Sequence, residues 1–576
     1  MKSKQVLLGM ALLLAWGGQL RAQSKVAFPQ EVTTAIDRIF EDAGWNEVNA
    51  PGIAFAIVKE GTVPYQKYLG SADITNAIPI TKETRFNLGQ LSAHFTAYSI
   101  LQLVVGKKLK LDEDVRSHIP QLQHFSQKVT VQHLLSSSSG LYDYHTLLTV
   151  MGRSIAEPLS QTTILQLVAR QKALSFIPGT DFAESDTNFV ILAELITKIS
   201  GQPYAQYLQE QLFKPLGMLQ TFVRDRADAI HPKVAHAYRT EQNNLFDNTT
   251  NNSILGSNNV FSSIKDLILW EKHLKKLENN SPELAKLVRR PVTLDNGKKY
   301  STSAGELSLG QWYGHLERGA YSTYLLGSSG GHDSAIFKFP EQDYVAIALS
   351  NDGRGYNGFT GVMAAHLAIA TAFTEPETTD YTTLKTIKKS PEQLAAFEGN
   401  YWDALGELSR EIKVTNDTLR YVRTNGNSNA LIPLSTNRFQ MKVPYDDKIY
   451  LTFSEGNPKT MTYEYLGADP IPFEQYTPIV IEERAILDRY KGTYINRDYS
   501  LVFTVKVRQG ELVVRNSRMQ PYTYTPLKEN TFFGTSWFMG HLAFKEDRSG
   551  AITGFVVTNN RLRNLTFEKL ADRLSN

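Results

Sequence analysis

The chain has 576 residues, 42% hydrophobic and 21% charged, with a formal net charge of +3. That length exceeds one ordinary domain and predicts about two to four. The near-neutral balance excludes a strongly basic nucleic-acid or polybasic membrane surface. With no cysteine, the sequence excludes disulfides, thiolate metal sites and a lipid anchor on cysteine.

Lys2 and Lys4 precede an apolar run over residues 6–16, and residues 17–22 are small and polar. The run is too short to span a bilayer comfortably. The pattern predicts a secretory signal peptide over 1–22 and a periplasmic or secreted location. No later stretch is long and apolar enough to span, so no transmembrane segment is expected after cleavage.

In chain order, residues 53–58 are a continuous apolar run suited to a buried strand. Gly61 marks a turn into a second strand over 65–70. Residues 91–105 predict a buried helix with Gly106 as its stop. Helices are expected after Asn188 and over 263–277, and a strand over 344–350. Asn351-Asp352-Gly353 reads as a turn. These elements place one mixed domain over 24–375. Residues 376–393 are polar and apolar-poor, which predicts a linker.

The last third repeats itself at an offset of 93 residues. Leu394, Phe397, Gly399 and Tyr401 correspond to Leu487, Tyr490, Gly492 and Tyr494. Leu419, Pro433, Leu434 and Phe439 correspond to Leu512, Pro526, Leu527 and Phe532. One offset shared by so many positions predicts two copies of one structural unit. Both copies are rich in β-branched and aromatic residues, with turn signals at Asn425-Gly426 and Ser549-Gly550. Two small antiparallel β domains, barrel-like or meandering, are expected over 394–478 and 482–573.

The segment Arg85-Phe86-Asn87-Leu88-Gly89-Gln90-Leu91-Ser92-Ala93-His94-Phe95-Thr96-Ala97 resembles the active-site helix of the β-lactamase-related, penicillin-binding-protein-like serine hydrolases of class C type. The blocks at 106–115, 129–135 and 139–144, Phe176-x-Pro178-Gly179, Pro215-Leu216-Gly217-Met218 and Ser262-Ser263-x-x-Asp266-Leu267-x-x-Trp270 follow in the family's order. The resemblance implies an α/β (α+β) domain, an antiparallel sheet flanked by helices with a helical lobe. It also implies ancestry among enzymes acting on peptides, β-lactams or esters.

By the same resemblance, Gln90 stands at the nucleophilic serine and Ala93 at the lysine one turn on. A glutamine amide is a poor nucleophile and alanine accepts no proton. Ser92 lacks a lysine three residues on and lies about 200° around the helix from Gln90, so it reads as structural. The Tyr-x-Asn motif is replaced by Glu184 and Asp186, which put negative charge where the family's substrates carry carboxylates. For the third motif, spacing to Phe339-Pro340 favours Leu325-Leu326-Gly327 over the register that would use His332. Leu325 then replaces a lysine or histidine.

Two backbone donors, the N–H groups of Gln90 and Ser328, survive as an implied oxyanion hole, because they do not depend on side-chain identity. Either the pocket still binds an anion or carbonyl, or Gln90 fills it and bonds its walls. The expected ligand-binding set is Gln90, Glu184, Asp186, Gly327 and Ser328. No metal-ligand spacing and no cofactor motif is present. The residues therefore imply a non-catalytic relative. Its expected partners are a small molecule or peptide in the old cleft, or a protein at the β domains. The alternative is a divergent hydrolase using Ser92, Ser185 or one of Ser136 to Ser139.

Overall fold

The computed structural model describes residues 29–571 except 48, 155–156, 243, 251, 303–304, 318–319, 354–364, 367, 371–380, 404–407, 425, 444–447, 466–469, 480–483 and 535. The expected signal segment, Asn425 and residues 376–380 of the expected linker lie outside the described residues.

The central sheet has eight antiparallel strands. They are β1 (Ile53–Lys59), β2 (Thr62–Leu69), β3 (Ser301–Thr302), β4 (Gly305–Leu307), β5 (Tyr313–Glu317), β6 (Ala320–Ser329), β7 (His332–Phe339) and β8 (Tyr344–Ser350). Their spatial order is β3-β4-β5-β6-β7-β8-β1-β2. β1 reads as an unbroken apolar run because both of its faces are covered. Ile53, Phe55 and Ile57 meet α1 (Gln30–Asp42) through Val32, Ile36 and Phe40, spaced four apart along one helical stripe. Ala54, Ala56 and Val58 point the other way, into the core of the helical lobe. Each fully buried large apolar side chain contributes about 1.5–3 kcal/mol.

On that second face lies α2 (Ser92–Val105), in which Phe95, Ile100 and Leu101 are fully buried. It contacts α3 (Thr187–Ser200), a helix stopped by Gly201 in the left-handed conformation. α4 (Ile264–Asn280) begins at Ser263, whose hydroxyl accepts from the Asp266 N–H, and it buries Trp270. His94 of α2 is locked between these parts. Its Nδ1 donates to the Gly310 carbonyl at 2.6 Å, and Nε2 accepts from Trp270 Nε1–H at 3.1 Å. Burial holds this imidazole neutral, down to about 3.

Asn351-Asp352-Gly353 is more than a turn. Asp352 and Gly353 pair in parallel with Tyr238 and Arg239. The buried Asn351 amide ties Gly52 N–H, the Ser71 carbonyl and the His236 carbonyl together. Asp352 accepts from Trp45 Nε1–H at 2.7 Å. The polar tripeptide looked like a solvated turn because its partners lie hundreds of residues away in sequence.

Two closed eight-stranded barrels follow. The first runs from Gly399–Asp403 to Ile471–Tyr476 and the second from Gly492–Asn496 to Leu565–Lys569. In each, successive strands pair as neighbours and the last closes on the first. The repeat is structural to the level of single bonds. Tyr401 Oη donates to the Phe397 carbonyl, and Tyr494 Oη to the Tyr490 carbonyl. Pro433 faces Phe439, and Pro526 faces Phe532. A short capped helix, Pro391–Ala395, leads into the first barrel, and Arg484–Asp488 leads into the second.

Candidate functional site

The site is built where a tight turn, Gly89–Leu91, meets β6 at the start of α2. Gly89 has a φ of +53°, and a Cβ there would lie 2.5 Å from the Ser328 nitrogen. Gly327 is equally constrained, since a Cβ would sit 2.0 Å from the Leu88 carbonyl oxygen. Only glycine permits this approach. Ser334 Oγ adds a bond to the same Leu88 carbonyl at 2.7 Å. The contact brings Gln90 to Ser328, and Gln90 Oε1 accepts from the Ser328 N–H at 2.8 Å. The backbone donor that an anion or carbonyl would need is thus bonded from within.

Around the turn, Ala93 is buried in the core. Leu325 is also a core residue, opposite Ile336. Asp333 stands directly across from Ser328, and burial pushes its carboxyl up to about 6. His332 sits at the hairpin end of β7, buried edge-on to Phe86 and Phe261. Burial, with Arg224 nearby, keeps it neutral, down to about 3.

The second part of the site is set by the start of α3. Asn188 Oδ1 accepts from Ser139 Oγ at 2.5 Å, and Thr187 Oγ1 donates to the Tyr142 carbonyl at 2.7 Å. These bonds pin the loop 139–144 over residues 184–186. Asp143, with a fully buried side chain, accepts from Thr146 N–H and Oγ1–H and from Asp186 N–H. Glu184 Oε1 accepts from the hydroxyls of Tyr300 at 3.1 Å and Tyr313 at 3.4 Å. Burial, reinforced by Glu184, raises both phenols well above their usual range, so they stay protonated donors.

The cation that joins these acids comes from the second barrel. In the loop between Ile552–Val557 and Leu565–Lys569, Arg561 reaches Glu184 Oε2 at 3.1 Å. Its Nη1 lies 3.8 Å from both Asp143 Oδ1 and Asp186 Oδ2. Asn559 shapes the loop by accepting from the Arg561 and Leu562 N–H groups, while Leu562 is buried as an anchor. Arg563 pairs with Asp181, and Asn564 Nδ2 donates to the Ser175 carbonyl. Burial drives the Asp186 carboxyl up, Arg561 pulls it back, and Asp143 and Glu184 push it up again, to about 7.

Gln90 and Ser328 are thus brought together, and so are Glu184 and Asp186. Leu325 packs into the core instead. The alternative nucleophiles are buried. Ser92 Oγ accepts from Val260 N–H, Ser139 is bonded to Asn188, and Ser136 to Ser138 and the Gln132 carbonyl. Ser185 is buried without a partner for its hydroxyl. Sequence reading missed Arg561, Tyr300, Tyr313 and Asp143. One signal for Arg561 was available: at the repeat offset the first copy carries Ala468. Among the described residues no cluster of three metal-ligating side chains occurs.

A sheet with helices on both faces, and a buried helix whose first turn is pressed against β6, defines a β-lactamase/transpeptidase-like domain. Residues 36–368 match the family model described as Beta-lactamase, and the chain belongs to this family. It is 27% identical to a D-aminopeptidase of Gluconobacter oxydans over 249 residues, 43% of this chain and 47% of that one. A D-aminopeptidase of Brucella anthropi is also 27% identical, over 253 residues, with the same coverage. The chain spans about half the length of the curated relatives it matches. Among solved structures it is similar to an octameric penicillin-binding protein homologue from Pyrococcus abyssi. There the TM-score is 0.49 at 20% identity, covering 77% of this chain and 99% of the other. A D-amino acid amidase from Ochrobactrum anthropi SV3 also has a TM-score of 0.49 at 20% identity, covering 59% and 99%.

Proposed function

We propose that this chain is an exported member of the family that has lost hydrolase activity and serves as a binding or interaction protein. The observation that carries the reading is the bond from Ser328 N–H to Gln90 Oε1. The residue at the nucleophile position cannot attack, and its own amide takes the donor that would stabilise an oxyanion. Ala93 offers no base beside it. Loss of a nucleophile alone costs on the order of a million-fold in turnover.

Arg561 adds to this reading. It occupies the acids at positions 184 and 186 from the second barrel, so the barrel is part of the site. With three carboxylates around one guanidinium, the site keeps an acidic excess that disfavours carboxylate ligands. The test is intact-mass spectrometry of the mature protein after exposure to a fluorophosphonate and, separately, to a β-lactam. The expected result is no adduct on a cooperatively folded protein. A stoichiometric adduct would overturn the proposal, and peptide mapping would name the nucleophile.

A further inference from the structure

Away from Gln90, a cavity of about 210 Å³ opens between Phe222, Phe261 and the segment 229–236. Its wall contains Arg224, which is only 7% exposed. The guanidinium donates to the Thr250 carbonyl at 2.6 Å and to Asn259 Oδ1 at 3.3 Å, and lies 4.7 Å from the centre of the Phe261 ring. These acceptors are all neutral, and Nε is buried with no acceptor. Among the described residues no carboxylate pairs with it. Burial pulls the guanidinium down to about 10 for want of a counter-charge.

A buried cation without an anion is a standing cost in a folded protein. The rest of the lining fits an anionic visitor. His231 stacks on Phe222 with ring centres 3.8 Å apart, and the Arg85 guanidinium lies 5.3 Å from the centre of the same ring. Thr249 and His236, whose Nδ1 is bonded to Asp247, add polar groups, Val234 and Ala235 add apolar ones, and among the described residues no acidic side chain lines the cavity.

We infer that this cavity is a binding site for a small organic carboxylate, with the anion on Arg224 and an apolar body against the His231 and Val234 wall. With Nη2 bonded to Thr250 and Asn259 and Nε enclosed, Nη1 is the donor left for a carboxylate, giving one charge-assisted bond. None of Gln90, Glu184, Asp186, Gly327 and Ser328 lines this cavity, and the assignment does not depend on whether their cleft turns over a substrate.

The test uses phenylacetate and its neutral analogue phenylacetamide, titrated into the full chain by calorimetry. Phenylacetate is expected to bind saturably, and the amide about tenfold or more weaker, the size of one lost charge-assisted bond. Arg224→Met should weaken phenylacetate by a similar factor. Ala229→Trp, which fills the rim without touching the guanidinium, should weaken both probes and guards against misfolding of the first variant. The assignment is overturned by absence of saturable binding to the wild type. It is equally overturned by equal affinity for acid and amide, or by full binding in a folded Ala229→Trp protein.

Discussion

Leu419 in the first barrel and Leu512 in the second occupy the same place in the repeat, and both are fully buried. Their cores end differently. The first barrel closes around its own cluster, from Leu394 to Phe473. The second barrel's core runs on into the helical lobe, so Leu512, Phe555 and Leu562 share one cluster with Leu134 and Leu148. The loop before the last strand differs in the same sense. In the second copy it reads Thr558-Asn559-Asn560-Arg561-Leu562-Arg563-Asn564, and the first copy has no arginine in the corresponding 465–471. The strand pattern of the repeat sets the barrel, and the loops, that of Arg561 with those carrying Asp498 and Asn516, set what the second barrel touches.

The largest expected effect breaks or sharpens this contrast directly. Leu419→Ala and Leu512→Ala each remove a fully buried leucine and should cost about 2–5 kcal/mol. In calorimetry, Leu419→Ala should lower a transition of the first barrel and spare the rest. Leu512→Ala should lower the transition of the hydrolase-like domain as well. Equal effects on one shared transition would show that the two barrels are coupled alike. Next in size is Arg561→Met. Breaking a buried ion pair costs about 3–5 kcal/mol and an exposed one about 0–1 kcal/mol. About a third of the Arg561 side chain is exposed while Asp143 is fully buried. The loss should therefore fall between, at about 1–3 kcal/mol by chemical denaturation.

How much of this was legible in the sequence follows from the range of the interactions. The barrels were legible because their spacing is internal to each copy, as with Tyr401 and Tyr494. The sheet and the buried helix were legible because 53–58 and 91–105 are local patterns. Gln90 and Ser328 could be placed together because the family resemblance aligns them with the two donors of its oxyanion hole. Arg561 could not, because it meets Glu184 across 377 residues of chain. A carboxylate pair two residues apart gives no hint of which cation answers it. Tyr300 and Tyr313 were hidden for the same reason, as was the role of Asn351.

Smaller effects test the electrostatics of the clamp. The Asp186 carboxyl is held up to about 7, against about 3.9 in an unfolded chain. A carboxyl whose folded value is raised contributes its stability fully below about 3.9, and that contribution is lost as pH rises through about 7. Asp186→Asn should remove this slope. Its melting temperature should match the wild type near pH 4 and exceed it at pH 8. A wild-type curve that is flat between pH 4 and 8 would place the proton elsewhere.

The smallest change in stability belongs to Gln90. Its bond to Ser328 is neutral and partly exposed, so Gln90→Ala should cost no more than about 0.5–1.5 kcal/mol. The informative variant is Gln90→Ser, which frees the Ser328 N–H and restores a hydroxyl. It should still form no fluorophosphonate adduct, because Ala93 supplies no base. Gln90→Ser with Ala93→Lys restores both side chains and should also stay silent while Arg561 holds Glu184 and Asp186. Labelling is expected only when Arg561→Met is added. An adduct in the double variant would break the comparison between the barrels at its most specific point. It would mean that the side chains at 90 and 93 alone silence the site, and that the second barrel's loop is a structural brace.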